Sequence, residues 1–174
     1  MPLKSITIFT DGSSRGNPGP GGWGAVIVDC QKVTEIGGRE THTTNNRMEL
    51  IGAIKALEFV FSLNAKRCTL YADSGYLVKG MTEWIHNWQK KNWKTADRKQ
   101  VLNRDLWEEL LILSRGKEIS WKQVSGHAGV AGNERCDEIA TAFASGENPE
   151  LYSDVLDLPA QAGNYPIKNI LNVS

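Results

Sequence analysis

A chain of 174 residues with 20 basic and 20 acidic side chains is long enough for one domain around one core. Its 40% hydrophobic and 23% charged shares are those of a folded globular protein and exclude a chain disordered throughout. No run approaches the roughly 20 apolar residues of a membrane span, and the stretch Met1–Asp11 is too short and too weakly basic for a secretory signal, so a cytoplasmic protein without a membrane partner is expected.

Ser5–Thr10, β-branched and aromatic, reads as the first strand. The cluster Gly16-Asn17-Pro18-Gly19-Pro20-Gly21-Gly22 reads as a turn. Trp23–Val28 and Lys32–Gly38 then form a hairpin, so that the first three strands make an antiparallel meander. From Asn45 the period changes: Met48, Ile51, Ile54, Leu57 and Phe61 recur at helical spacing, a helix of about four turns capped by Thr44 or Asn45. Lys66–Ala72 is a strand, and Ser74 caps a short helix through Met81. Trp84–Lys91 and Asp105–Leu113 are helical and separated by a polar, basic loop. Glu118–Val124 is the fifth strand and Asn133–Ala144 the last helix.

Strands linked by helices favour parallel pairing of the first, fourth and fifth through right-handed crossovers. The expected fold is α/β, a mixed five-stranded sheet flanked by helices. We expect a catalytic domain over 1–144 and an acidic tail over 145–174. Pro149, Pro159 and Pro166 interrupt any long helix in the tail. Leu151, Tyr152, Val155, Leu156 and Leu158 suit a turn or two of amphipathic helix docked on the body. The tail is also a candidate contact for another protein. No fixed-period repeat is present.

A net charge of zero conceals an uneven distribution. From Trp84 to Arg104, six basic residues (Lys90, Lys91, Lys94, Arg98, Lys99, Arg104) face only Asp97, a local charge of +5. From Ser145 onward, Glu147, Glu150, Asp154 and Asp157 face only Lys168. A basic body with an acidic tail fits a polyanionic partner. Cys30, Cys68 and Cys136 are too widely spaced for a zinc site and odd in number, which points to free thiols.

If the first and fourth strands are parallel neighbours, Asp11 and Asp73 emerge at one sheet edge, with strands about 4.8 Å apart. Glu49 stands near the start of the long helix, and Asp137 in the first turn or so of the last one. Mg²⁺ takes carboxylate oxygens and keeps several waters, so a few acids on one face are sufficient. Two such ions stabilise the attacking and leaving oxygens of phosphoryl displacement. Each acid alone has a plainer explanation, because acids suit the first turn of a helix and Asp-Gly is a turn signal. The combination points to cleavage of a phosphodiester. Crowded carboxylates also raise each other's pKa, so metal affinity and activity are expected to fall together in acid.

Thr10-Asp11-Gly12-Ser13 with Gly16-Asn17-Pro18-Gly19, Thr43-Thr44-Asn45-Asn46-Arg47-Met48-Glu49-Leu50, Asp73-Ser74-Gly75-Tyr76, Gly126-His127-Ala128-Gly129 and Asn133-Glu134-Arg135-Cys136-Asp137-Glu138 follow one another in the chain. This ordered set, with the tryptophan-rich Trp84-Ile85-His86-Asn87-Trp88, resembles the motifs of type 1 ribonuclease H, specifically the bacterial form, from about Lys4 to Ala144.

The resemblance implies an endonuclease that cuts the RNA strand of an RNA–DNA hybrid with two Mg²⁺ or Mn²⁺ ions, leaving 5′-phosphate and 3′-hydroxyl ends. It implies Asp11, Glu49, Asp73 and Asp137 as metal-binding acids, Asp11 bridging both ions and Glu49 near a ribose 2′-hydroxyl. That hydroxyl tells RNA from DNA. His127 would assist proton transfer and product departure; by composition alone it is a solvent-facing loop histidine. Asn17, Asn45 and Asn46 would line the minor groove, Gly12 and Ser13 would contribute backbone or hydroxyl contacts, and Thr44 would approach a DNA phosphate. As plain loop residues, the asparagines are turn formers. Gly75 departs from the glutamine that many members carry.

The basic stretch matches the family's protruding helix and loop, in which Trp84, Trp88, Lys90, Lys91 and Lys94 would hold the DNA strand. The alternative for Trp84 and Trp88, four apart, is inward packing. Trp84 is expected to do both jobs, and Trp107 to be core. A monomer is expected, with no separate hybrid-binding domain before Ser5. Two other readings stay open: a non-catalytic hybrid-binding module, and a DNA-cutting enzyme of the same broad fold, such as a transposase or junction resolvase.

Overall fold

The computed structural model describes residues 5–30, 32–126, 128–154 and 165–174. Five strands form one sheet in the order β3-β2-β1-β4-β5, where β1 is Ile6–Ser14, β2 Gly19–Asp29, β3 Lys32–Thr43, β4 Arg67–Ala72 and β5 Glu118–Gln123. β1–β2 and β2–β3 pair antiparallel, β1–β4 and β4–β5 parallel. This is the expected mixed sheet.

The strand period of two divides the core. Ile6, Ile8, Ala25, Ile27, Cys68 and Leu70 face one cluster, which includes Leu50, Ile54, Leu57 and Val60 of helix α1 (Asn45–Ser62) and Trp107 of α4 (Arg104–Ser114). Phe9, Val26, Val28 and Val33 face a second cluster with Cys136 of α5 (Ala131–Ala144). The Thr44 hydroxyl caps α1 by accepting from Arg47 N at 3.2 Å. At 18 residues α1 is a turn longer than its apolar period indicated.

Two readings of the sequence are corrected. The glycine-proline cluster is a turn only in its first part, because β2 already begins at Gly19. A Cβ on Gly22 would lie 2.2 Å from Ala140 O, and one on Gly24 2.7 Å from Cys136 O, so the glycines let α5 lie directly on the strand. The two short helices after β4 are continuous: α2 (Gly75–Lys79) passes through a π-helical turn (Gly80–Trp84) into α3 (Ile85–Lys90). The Trp107 ring lies where a Cβ on Gly80 would be, 2.0 Å away, so the wide turn seats an indole.

Of the tail, residues 152–154 run beside β3, and Tyr165 and Ile170 pack on the second cluster. Val155, Leu156, Leu158 and Asp157 lie outside the described residues. Among the described residues no helix is long and apolar enough to cross a membrane.

Candidate active site

Phe9 of β1 is in register with Tyr71 of β4, so Asp11 and Asp73, each two residues further on, leave the sheet at the same edge. Gly12 brings α1 to that edge: a Cβ there would lie 2.4 Å from Glu49 N and 2.5 Å from Met48 C. Helix and strand touch through backbone, and Glu49 is carried beside Asp11. Oxygens of Asp11, Glu49 and Asp73 lie within 4.8 Å of one another.

The charges are held against their preference. Burial, the neighbouring Asp73 and, more weakly, Asp137 push the Asp11 carboxyl up to about 7, against the lowering effect of hydrogen bonds from Glu49 and from Gly12 N at 2.8 Å. Burial and Asp11 raise Glu49 well above the ordinary carboxylate range. Glu49 Oε2 is buried and has no hydrogen-bond partner among the described residues, an arrangement that costs free energy unless a cation or donor completes it. An all-oxygen set with one orphaned lone pair is the donor set that Mg²⁺ or Mn²⁺ accepts.

Helix α5 supplies the fourth side. Asn133, 3% exposed, donates from Nδ2 to Asp73 Oδ2 at 3.4 Å, and its own Oδ1 is buried without a partner among the described residues. Asp137, half-buried, stands outside the 4.8 Å cluster and acts on Asp11 through its charge. Three of the four expected acids are thus gathered and the fourth stands beside them. Asn133 is the residue that sequence reasoning left without a role; its spacing of four from Asp137, which puts both on one helix face, was the available signal. His127 lies outside the described residues.

Beside the acids, Asn17, Thr44, Asn45 and Asn46 line one concavity with Leu102 and Asn103. Asn17 Oδ1 accepts from Asn45 N at 2.9 Å and Ser14 Oγ at 3.2 Å, which holds the asparagine loop against the start of α1. Thr44 spends its hydroxyl on the helix cap, while Asn45 and Asn46 are exposed. Ser13 is half-buried and pairs with Gly22. The space above Gly75 is partly taken by Gln123, whose amide would lie 3.3 Å from an added Cβ and which donates to Asp73 O at 3.1 Å.

The basic protrusion is built on stacked indoles. Trp88 packs on Trp84, Trp93 and Trp107 with ring centroids at 5.8, 6.3 and 5.3 Å. Trp84 and Trp88 are each half-buried, Trp93 is buried, and Trp107 is fully buried as expected, its Nε1 donating to Tyr76 Oη at 3.2 Å. Lys90, Lys91 and Lys94 are exposed. The loop turns tightly, with left-handed Asn92, Trp93, Arg98 and Asn103. Asn103 Nδ2 donates to Tyr76 Oη at 3.0 Å, tying the loop's end to the helix that follows Asp73.

A mixed sheet in this order, with carboxylates gathered where its central parallel strands end, defines the ribonuclease H class of fold. The family model described as RNase H matches residues 3–145, and the chain belongs to that family, in its type 1 branch. It is 54% identical over 152 residues to Ribonuclease H of Cyanothece sp. strain PCC 7425, covering 87% of this chain and 96% of that protein. The crystal structure of LC9-RNase H1, described as a type 1 RNase H with the type 2 active-site motif, is similar with a TM-score of 0.78 and 30% identity, covering 88% of this chain and 79% of that one. RNase H1 from Halobacterium salinarum NRC-1 is similar with a TM-score of 0.62 and 30% identity, covering 82% and 98%.

Proposed function

We propose that this chain is a metal-dependent endoribonuclease that hydrolyses the RNA strand of RNA–DNA hybrids to 5′-phosphate and 3′-hydroxyl ends, acting as a cytoplasmic monomer. The carrying observation is the carboxylate triplet with a buried oxygen on Glu49 that no described residue bonds, in a chain of the RNase H family. Asp11, Glu49 and Asp73 would hold divalent cations, with Asp137 completing the set when substrate is bound. When bound there, two Mg²⁺ or Mn²⁺ ions would supply an activated water and charge stabilisation of the leaving oxygen.

The chain's own residues do the rest. Asn133 orients Asp73 by donating to its Oδ2. Asn17, Thr44, Asn45 and Asn46, with Gly12 and Ser13, line the edge where a shallow groove of sugar hydroxyls and base edges would lie. Glu49 is near enough to Asp11 to approach a ribose 2′-hydroxyl at the same centre. Lys90, Lys91 and Lys94 neutralise DNA-strand phosphates while Trp84 and Trp88 pack on sugars. His127 moves a proton as product departs.

The test is cleavage of an end-labelled hybrid with Mg²⁺, beside duplex DNA, duplex RNA and Asp11→Asn. Cutting confined to the RNA strand of the hybrid and lost in the variant is expected. Hybrid that is bound but uncut would move the chain to a binding module, and cut duplex DNA to another activity of the fold.

A further inference from the structure

Helix α5 rides on a track of glycine. Added Cβ atoms at Gly22, Gly24 and Gly37 would lie 2.2 Å from Ala140 O, 2.7 Å from Cys136 O and 2.6 Å from Ile139 Cγ2. At these positions the sheet presents no side chain to interlock with the helix, so the interdigitation that fixes how a helix sits along and around its axis is left to side chains such as the Phe9 ring, which fills the place of a Cβ on Gly132. The start of α5 is not capped by a side chain either: Val130 precedes it and makes no such bond. Yet this helix brings Asn133 and Asp137 to the acid edge, where small displacements matter.

Its polar anchor is on the other side. Residues two apart on a helix do not share a face, so Arg135 points away from Asp137, toward β3. There Arg135 Nε and Nη2 donate to Glu35 Oε2 at 2.7 Å and Oε1 at 3.0 Å, and Nη2 also donates to Glu150 O at 3.1 Å. The same Glu35 carboxylate, in a residue only 4% exposed, accepts Tyr152 N at 2.9 Å and the Tyr165 hydroxyl at 2.6 Å. Two of these donors, Tyr152 N and the Tyr165 hydroxyl, come from residues beyond the span that the family model matches. The tail reaches this position through an antiparallel bridge along the β3 edge, Thr34 to Ser153: Glu35 N donates to Tyr152 O at 2.7 Å, Asp154 N to Val33 O at 2.9 Å, and Val33 N to Asp154 Oδ2 at 2.7 Å.

We infer that the C-terminal segment is a positioning element of the active site. By closing on Glu35 and Arg135 it sets the register of α5, and with it the placement of Asn133 and Asp137 against Asp73 and Asp11. Glu35, Arg135 and Tyr165 are positioning residues that touch neither metal nor substrate. The inference rests on the reading of the acid edge as the metal-holding site.

The experiment uses the full chain, with Glu35→Gln, Tyr165→Phe, Asp137→Asn and, as a stability control, Val60→Ala in the opposite core. Three readouts are taken: Mn²⁺ affinity by calorimetry without nucleic acid, amide exchange over 131–138, and cleavage as a function of Mg²⁺ concentration. Glu35→Gln is expected to weaken Mn²⁺ binding about three- to tenfold, within or just below what partners behind a metal ligand contribute. The Mg²⁺ concentration for half-maximal cleavage rises by the same factor, kcat recovers at saturating metal, and α5 exchanges faster. Tyr165→Phe shifts the same way by less, while Val60→Ala lowers Tm and leaves the metal requirement in place. An unmoved metal requirement in Glu35→Gln, or an equal shift in Val60→Ala, overturns the inference. If Asp137→Asn weakens metal binding and Glu35→Gln does not, only the inference fails. If Asp137→Asn leaves binding and cleavage intact, the reading of the site fails, and the inference with it.

Discussion

Glu35 and Glu49 are buried alike, each 4% exposed, and their carboxyls are pushed in opposite directions. Burial raises both, but at Glu35 the hydrogen bonds from Arg135, Tyr165 and Tyr152 outweigh it and hold the group below the usual carboxylate range. At Glu49 the neighbours are Asp11 and Asp73, which add to the effect of burial. One glutamate is completed by the protein; the other has an oxygen without a partner among the described residues. Burial thus does not say whether a carboxylate holds the fold together or waits for a ligand. Its partners do.

The sharpest break of this comparison is Glu49→Gln or Asp11→Asn. Cleavage should fall by about 10³-fold, beyond the roughly 10–100-fold that partners behind a metal ligand contribute. The metal-free Asp11→Asn protein should meanwhile gain about 2 kcal/mol at pH 8, because a repelled, buried charge is removed. Denaturant titration in chelator checks the gain; a loss of stability would show that the acids do not oppose folding.

Glu35→Gln should do the reverse, costing about 3 kcal/mol through a broken buried ion pair, or roughly 6–12 °C in Tm for a chain of this size. Thermal melts of the two variants side by side should therefore move in opposite directions.

The pH dependence follows with opposite signs as well. Asp11 titrates near 7 when folded and near 3.8 ordinarily, so the folded protein holds the extra proton in between. That contribution makes the metal-free protein lose stability as pH rises through this window. Glu35, lowered on folding, contributes stability that is present above its ordinary pKa and lost as pH falls through its depressed one. Urea titrations at pH 5 and 8 should favour pH 5 without metal, and added Mg²⁺ should reverse or erase the difference. Metal affinity should weaken below about pH 7 as protons compete for the same oxygens.

Smaller effects belong to exposed charges. Neutralising Lys90 and Lys91 should lower the slope of log hybrid affinity against log salt by roughly 2, near 0.9 per lost phosphate contact; an unchanged slope would remove them from the interface. Glu118→Gln breaks an ion pair to Arg67 whose side chains are 71% and 46% exposed, and should change stability by no more than about 0.5 kcal/mol. A large effect there would undo the distinction between buried and exposed carboxylates.

Much of the acid edge is legible in the amino-acid sequence, because Asp11 and Asp73 end β-branched and aromatic runs and Glu49 opens a helical period. Strand alternation and helix spacing are local, and they carry the sheet, the helices and the parallel placement of the two aspartates. Asn133 is only faintly legible as a site residue: its spacing of four from Asp137 puts it on that acid's helix face, but an asparagine at a helix start also reads as a cap former, and packing turns it toward Asp73. Gly22 and Gly24 escape a local reading for the same reason, since what they make room for, the backbone of α5, lies more than 100 residues away in the chain.

Periods and caps acting over a few residues specify the elements, their order and the identity of the edge acids. Which acidic side chains are satisfied depends instead on how distant parts of the chain pack together. The partners of Glu35 include Tyr152 and Tyr165, 117 and 130 residues further on, and no local pattern marks a pairing across that distance. The fate of a buried charge is set by whatever the fold brings within hydrogen-bond reach of it, and chain spacing carries no record of that.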